Sequence, residues 1–197
     1  CWDACLEDFK AHEDHYRLDQ NAAPINKDVN YIARFHGSGG EWRVEQRRLS
    51  WEVLDAYSKA ATQTGIPPTD DFNGGDNTGT GYFDVNQRKG WRWSSSKAFL
   101  RPVKKRKNLH VWTHAQVTKL NLTKAADGQK KCTSVNVWCN GQMHTLQADL
   151  EVILSAGAIG SPQILQLSGI GSPEQLAKVG IKVEHALEGV GRNLQDH

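Results

Sequence analysis

Ser155-Ala-Gly-Ala-Ile-Gly-Ser-Pro-Gln-Ile-Leu-Gln-Leu-Ser-Gly-Ile-Gly171 is the stretch whose reading decides the fold. It starts where a continuous apolar run, Val152-Ile153-Leu154, gives way to small residues. Such a run suits a buried parallel strand, which is the expectation for Val152 to Ala156. Ser161 stands where a helix N-cap belongs, Pro162 at the first helical position and Gly169 just past the end. A strand, a turn of small residues and a helix start together make an anion site, because unpaired N–H groups and the helix dipole converge there. Gly157 and Gly160 lack a Cβ, so a ligand can approach their backbone closely. Tight packing of strand on helix would use the same residues, and the pattern alone leaves the two roles level. Ser161 is a cap first and a ligand group second.

Outward from this stretch the pattern changes. Ser172-Pro-Glu-Gln175 reads as a capping box opening a short helix that stops at Gly180, after which Ile181 to Glu184 extends again. Upstream, Leu109, Val111, Ala115 and Val117 alternate with polar residues, as do Val135 and Val137. Ala126-Asp-Gly128 and Asn140-Gly141 supply turns, so residues 108–148 read as an antiparallel meander. Residues 69–90, rich in Asp, Asn, Gly and Thr, suit a loop over a ligand or partner surface. The clearest helix runs from about Trp51 to Thr64, with Ser50 as N-cap, Gly65 as stop and Val53, Leu54, Tyr57, Ala60 and Ala61 on its apolar face. Trp2, Cys5, Leu6 and Phe9 share a face at helical spacing, residues 18–30 read as a loop, and Trp42 to Glu45 as an edge strand. The fold class is therefore α/β in the mixed α+β sense.

Composition excludes some functions. Lys and Arg number 24 against 22 Asp and Glu, a net charge of +2 that steers toward no particular partner. The basic run Lys104-Lys-Arg-Lys107 lies near Trp91, Trp93 and Trp112, but a run this short in a balanced chain points away from nucleic acid. Cys1, Cys5, Cys132 and Cys139 fit no zinc or haem spacing; they read as reduced thiols, with a Cys132–Cys139 bridge across a turn as the alternative in an oxidising compartment. No run is apolar and long enough for a transmembrane segment, and no signal peptide is visible. His12 and His15, with Glu13, mimic part of a metal site, but without a third ligand motif a solvated helix face is the expectation. Gly37-Ser-Gly-Gly40 lacks the spacing and the preceding strand of a dinucleotide fingerprint.

Four stretches occur in a fixed order along the chain. They are Asp71-Phe-Asn-Gly74 with Gly90-Trp-Arg-Trp-Ser94 and Ala98-Phe-Leu-Arg-Pro102; Asn108-Leu-His-Val111 leading to Val117-Thr-Lys-Leu120; Ser155 to Gly171; and Gly189-Val-Gly-Arg-Asn-Leu-Gln-Asp-His197. Together they resemble the glucose–methanol–choline (GMC) family of flavin oxidoreductases, with choline-dehydrogenase-like and alcohol-dehydrogenase-like wording. The resemblance implies FAD as cofactor and oxidation of a small-molecule alcohol at its CH–OH group, to an electron acceptor it does not specify. It implies that Val117 holds the adenine through its backbone and that Gly157 and Ala158 lie beside the flavin. His197 would sit near the alcohol and influence proton transfer without being the base, Asn193 and Asp196 would fix their loop, and Arg92 and Ser94 would lie near the cofactor or be a solvated arginine and a cap.

The same resemblance divides the chain into a partial substrate and cap region (1–95), a portion of the Rossmann-like FAD domain (96–171) and a return toward the antiparallel-sheet substrate domain (172–197). It also makes the chain an internal segment, with the family's dinucleotide loop and its catalytic base outside it, so that these residues by themselves turn over no alcohol. Family oxidases and hydroxynitrile lyases, or a non-catalytic module, are the alternatives.

Overall fold

In the computed structural model, which describes residues 1–19, 29–125 and 127–196, the N-terminal segment forms the expected helix, α1 (Trp2–His12), and then abruptly extends. The chain divides into two compact units, Cys1–His110 and Val111–His197. In the first, β1 (Glu13–His15) pairs in parallel with β2 (Trp42–Val44), in the register Glu13↔Trp42 and His15↔Val44. A 3₁₀ turn, Tyr16–Leu18, follows β1. The strand removes His15 from the helix face expected for it: His15 is buried, whereas α1 buries no residue. A second helix, α2 (Val29–Phe35), begins inside the expected loop; the remainder of that loop, residues 20–28, lies outside the described residues. So short a helix owes its stability to packing, here through Ile32, more than to propensity. Gly37 and Gly40 explain themselves: a Cβ on either would collide with the backbone of Lys10 or His12, so the Gly37–Gly40 turn lies against the end of α1. Trp42 of β2 stacks on Phe99 with centroids 5.8 Å apart.

The long helix, α3 (Glu52–Gln63), has Trp51 at its N-cap instead of Ser50. The first helical bonds run from Leu54 and Asp55 N–H to the Trp51 carbonyl, and the Trp51 N–H donates to Tyr82 Oη, while no side chain caps the helix. Gly65 adopts φ +98° and stops the helix as expected. The apolar face does not bury: Val53 is 70 % and Tyr57 73 % exposed, and the less exposed residues are Asp55, Ser58 and Ala61. Asp55 accepts from Tyr82 Oη at 2.8 Å and Ser58 from Thr80 Oγ1 at 3.2 Å, which turns that polar face inward. The Asp/Gly-rich stretch runs as turns into a small hairpin, β3 (Gln87–Arg88) and β4 (Trp91–Arg92), closed by Lys89 and Gly90 at positive φ. A π-helical turn, Ser96–Leu100, leads into α4 (Arg101–Val103).

The second unit contains the meander. β5 (Ala115–Lys124), β6 (Lys130–Cys139) and β7 (Gln142–Gln147) are antiparallel in that order. Asn140 and Gly141 make the β6–β7 turn, both at positive φ. The expected strand start at Leu109 is wrong; pairing begins only after His114, which takes φ +54° and breaks the extended run. Cys132 and Cys139 share strand β6 and lie roughly 23 Å apart at strand spacing, so no bridge joins them.

Val152 to Leu154 forms no strand and pairs with none among the described residues, Ala156 already leaves the extended region at φ -87° and ψ 12°, and Ile153 is 78 % exposed. A buried parallel strand needs both of its faces covered, and among the described residues of this unit only the antiparallel meander and one two-residue parallel pair form sheet. Helix α5 (Gly157–Leu167) opens at Gly157, so Ser161 lies inside it and is not its N-cap. Gly169 follows the helix at φ +81° as expected. β8 (Ile170–Gly171) and β9 (His185–Ala186) pair in parallel around α6 (Pro173–Lys178), which ends before Gly180. Ser172 is the N-cap residue of α6 but its side chain makes no cap bond.

Candidate functional site

Gly157 carries φ +84°, a conformation that favours glycine, and nothing lies within 4 Å of where a Cβ would stand. The residue turns the chain from the unpaired Val152–Ala156 segment into α5 while leaving its backbone open. Ala156 N–H donates to Ser161 Oγ at 2.9 Å, so the serine stitches the turn from within the helix. The first turn of α5 leaves its amide groups and the positive end of its dipole at the junction.

Ala158, Ser161, Pro162 and Gln166 form one wall of a cleft of about 670 Å³, and the loop Gly189–Gln195 forms the other. Gln166 Nε2 donates to the Val190 carbonyl at 3.3 Å and ties the walls together. Arg192 brings the one charged side chain, paired with Glu188 at 3.2 Å. Two of the stretches singled out in the sequence thus meet in one cleft. Asn193 stands in that loop at φ +57°, Asp196 is exposed, and His197 lies outside the described residues.

Val117 is not in the cleft wall but on the edge strand β5. Leu120 N–H points away from β6 to Ser168 Oγ, so the Leu120↔Val135 pair is a non-hydrogen-bonded one. Val137 lies two residues further along β6, and the bulge between Val117 and Lys119 absorbs the extra Thr118. The Val117↔Val137 pair is therefore of the same class, and Val117 turns its N–H and C=O to the free edge. There the Gln116 side-chain amide donates to the Val117 carbonyl at 3.1 Å.

The remaining candidates lie in the first unit. Arg92 is exposed on β4; the Ser94 carbonyl accepts from Lys97 and Ala98 N–H and starts the π-helical turn. Lys104 to Lys107 are exposed beyond α4. His12 Nδ1 meets the Asp8 carbonyl at the end of α1. His15 instead joins a buried cluster that the sequence reading missed, with Glu13, Arg17, His36, Asp71 and Asp84. Part of the signal was present: Glu13 and His15 are spaced i, i+2, the period of an extended segment with one face inward, while the 3₁₀ turn that brings in Arg17 has no such signature.

Residues 3–197 match the model of the GMC oxidoreductase family, and the chain belongs to that family. Over its whole length it is 41 % identical to the oxygen-dependent choline dehydrogenase of Staphylococcus saprophyticus and 39 % to that of Staphylococcus aureus, spanning 32 % of either relative. Pyridoxine 4-oxidase from Mesorbium loti superposes with a TM-score of 0.79 at 28 % identity, over 94 % of this chain and 33 % of that one. An FAD-dependent oxidoreductase from Chaetomium thermophilum shares the fold, with a TM-score of 0.80 at 24 % identity over 94 % of this chain and 32 % of the other. The chain spans about a third of the length of the curated relatives it matches. The mixed α/β class and the family read from the sequence are those found.

Proposed function

We propose that this chain is part of an FAD-dependent oxidoreductase that oxidises the CH–OH group of a small-molecule alcohol. The observation that carries the reading is the open backbone at Gly157, where the start of α5 and the Gly189–Gln195 loop make a largely uncharged cleft. These residues fit a flavin: a planar ring needs backbone free of side chains, and nothing stands within 4 Å of the Cβ directions of Gly157 and Gly189. When bound, FAD supplies the hydride acceptor. The chain contributes surface and dipoles. Gly157 and Ala158 pack beside the ring, the α5 start offers positive potential, and Val117 offers a donor–acceptor pair that suits an adenine edge. On this reading residues 96–171 serve the FAD domain, 1–95 the substrate side, and 172–197 lead back to it. A choline-like alcohol is the substrate class that the named relatives favour.

The test is the visible spectrum of the complete protein. A flavin absorbance that bleaches anaerobically on adding alcohol is expected; a folded, colourless protein overturns the proposal. Oxygen uptake against reduction of an artificial acceptor then separates oxidase from dehydrogenase.

A further inference from the structure

The cluster around His36 belongs to the first unit, the cleft is built from residues of the second, and the proposed reaction does not use the cluster. His36 closes α2, its N–H bonded to the Ile32 carbonyl, and its ring is buried. Its Nδ1 lies 3.0 Å from Glu13 Oε2 on β1, and its Nε2 lies 3.1 Å from Asp71 Oδ2 in the Asp71–Gly74 turn. A neutral imidazole has one N–H and one lone pair, so it can satisfy only one of two carboxylates and must aim its lone pair at the other. Two carboxylates at hydrogen-bond distance call for two N–H groups.

The surroundings agree. Facing His36 are Glu13 and His15 from β1, Arg17 from the 3₁₀ turn, and Asp71 and Asp84 from the loops. Among the described residues, three carboxylates stand against one permanent cation, Arg17, which spans Asp71 and Asp84 at 3.1 Å each. A proton on His36 reduces that excess of negative charge.

A divalent cation is the rival occupant, since Glu13, His15 and His36 each bring a ligand atom within 4.8 Å of the others. The histidine nitrogens are already engaged, as is one oxygen of Glu13. Both His36 nitrogens face carboxylates, His15 Nδ1 accepts the Arg17 N–H, and Glu13 Oε2 also accepts the Gly37 N–H at 2.9 Å. To ligate through the histidines, a metal would have to break their bonds beside a buried guanidinium.

We infer that His36 is a positioning residue held as an imidazolium, which clasps β1, the end of α2 and the Asp71–Gly74 turn together. Asp71 organises that turn: its Oδ1 accepts the Asn73 N–H at 3.0 Å, and the Gly74 carbonyl accepts from Tyr31 Oη of α2 at 2.8 Å. Burial alone pushes the His36 imidazole down; its bonds to Asp71 and Glu13 and their charges overcome this and raise it to about 9. The sign follows from the raised value. The clasp's contribution is complete below the ordinary histidine range near 6.5, shrinks as pH rises from there, and is gone above about 9.

The experiment is nitrogen NMR of the protein labelled with ¹⁵N-histidine, with His36→Gln to assign the signal and elemental analysis of the same sample. Two protonated ring nitrogens on His36 at pH 7.5, titrating near 9, and no stoichiometric metal are the results expected. A neutral ring at pH 7.5, or a bound divalent ion whose removal shifts the His36 signal, overturns the inference. Hydrogen exchange gives a second readout: His36→Gln should speed exchange of the Asn73 amide about tenfold or more, the loss expected when a charged hydrogen bond disappears. Unchanged exchange there also overturns it. If His36→Gln does not fold, Asp71→Asn replaces it, and the His36 midpoint should fall by about one unit or more. A midpoint that stays put counts against the clasp.

Discussion

The backbone N–H of Leu120 donates to Ser168 Oγ at 2.8 Å, and the same hydroxyl donates to the Ile164 carbonyl at 2.6 Å. One buried serine at the end of α5 thereby satisfies the edge of β5 and fixes the helix against the meander. Ser168→Ala leaves the Leu120 N–H buried without an acceptor and should cost about 1–3 kcal/mol of stability. Denaturant unfolding of the variant measures this. An unchanged midpoint would mean that water or a backbone shift replaces the hydroxyl.

Gly157 makes a sharper prediction. At φ +84° an alanine is strained by about 1–2 kcal/mol, yet the space beyond the Cβ is empty, so Gly157→Ala should fold and be modestly less stable. Its bound flavin should fall further than its stability does, because the new methyl group enters the proposed cofactor surface. Full flavin content with the stability loss alone would reduce Gly157 to a turn-former.

The sequence was legible where local rules decide. The meander, its Asn140-Gly141 turn and the stops at Gly65, Gly169 and Gly180 could all be read from spacing and turn chemistry. It failed where a partner from far along the chain sets the outcome. Trp51, whose N–H donates to Tyr82, stands at the N-cap in place of Ser50, and α3 turned a polar face inward because Asp55 and Ser58 find partners near residue 80. The buried cluster escaped for the same reason: His36 and Asp71 are 35 residues apart in sequence, and nothing local announces that they meet. Ser161 shows a subtler failure. Its hydroxyl does bond a free N–H at a helix start, but from inside the first turns and not from the cap.

Val117 separates a backbone role from a side-chain role. Val117→Ile or Val117→Ala keeps both edge groups and should leave flavin affinity within a factor of a few. Val117→Pro removes the N–H and should release flavin, while β5 loses no ladder bond because that N–H faces away from β6. Flavin titration of the apoprotein measures the affinities. If alanine and proline weaken binding equally, the contact is made by the side chain.

The acid limb of stability tests the buried cluster from its carboxylate side. Burial raises the Asp71 carboxyl, but the His36 hydrogen bond and charge, the Asn73 N–H and Arg17 together hold it at about 2; Glu13 is likewise held below its ordinary range by His36 and Gly37 against the effect of burial. For groups lowered in the folded state, the stabilisation is present above the unfolded value and is lost as pH falls through the folded one. The contribution of Asp71 should therefore persist down to pH 3.8 and vanish toward 2, with that of Glu13 fading from 4.5 downward. Glu13→Gln keeps the shape of the site but cannot ionise, so its stability should start lower at neutral pH and fall less steeply below pH 4.5. Urea unfolding at several pH values between 6 and 2 reads both slopes. Parallel slopes for the two proteins would show that Glu13 carries no charge-dependent share of the clasp.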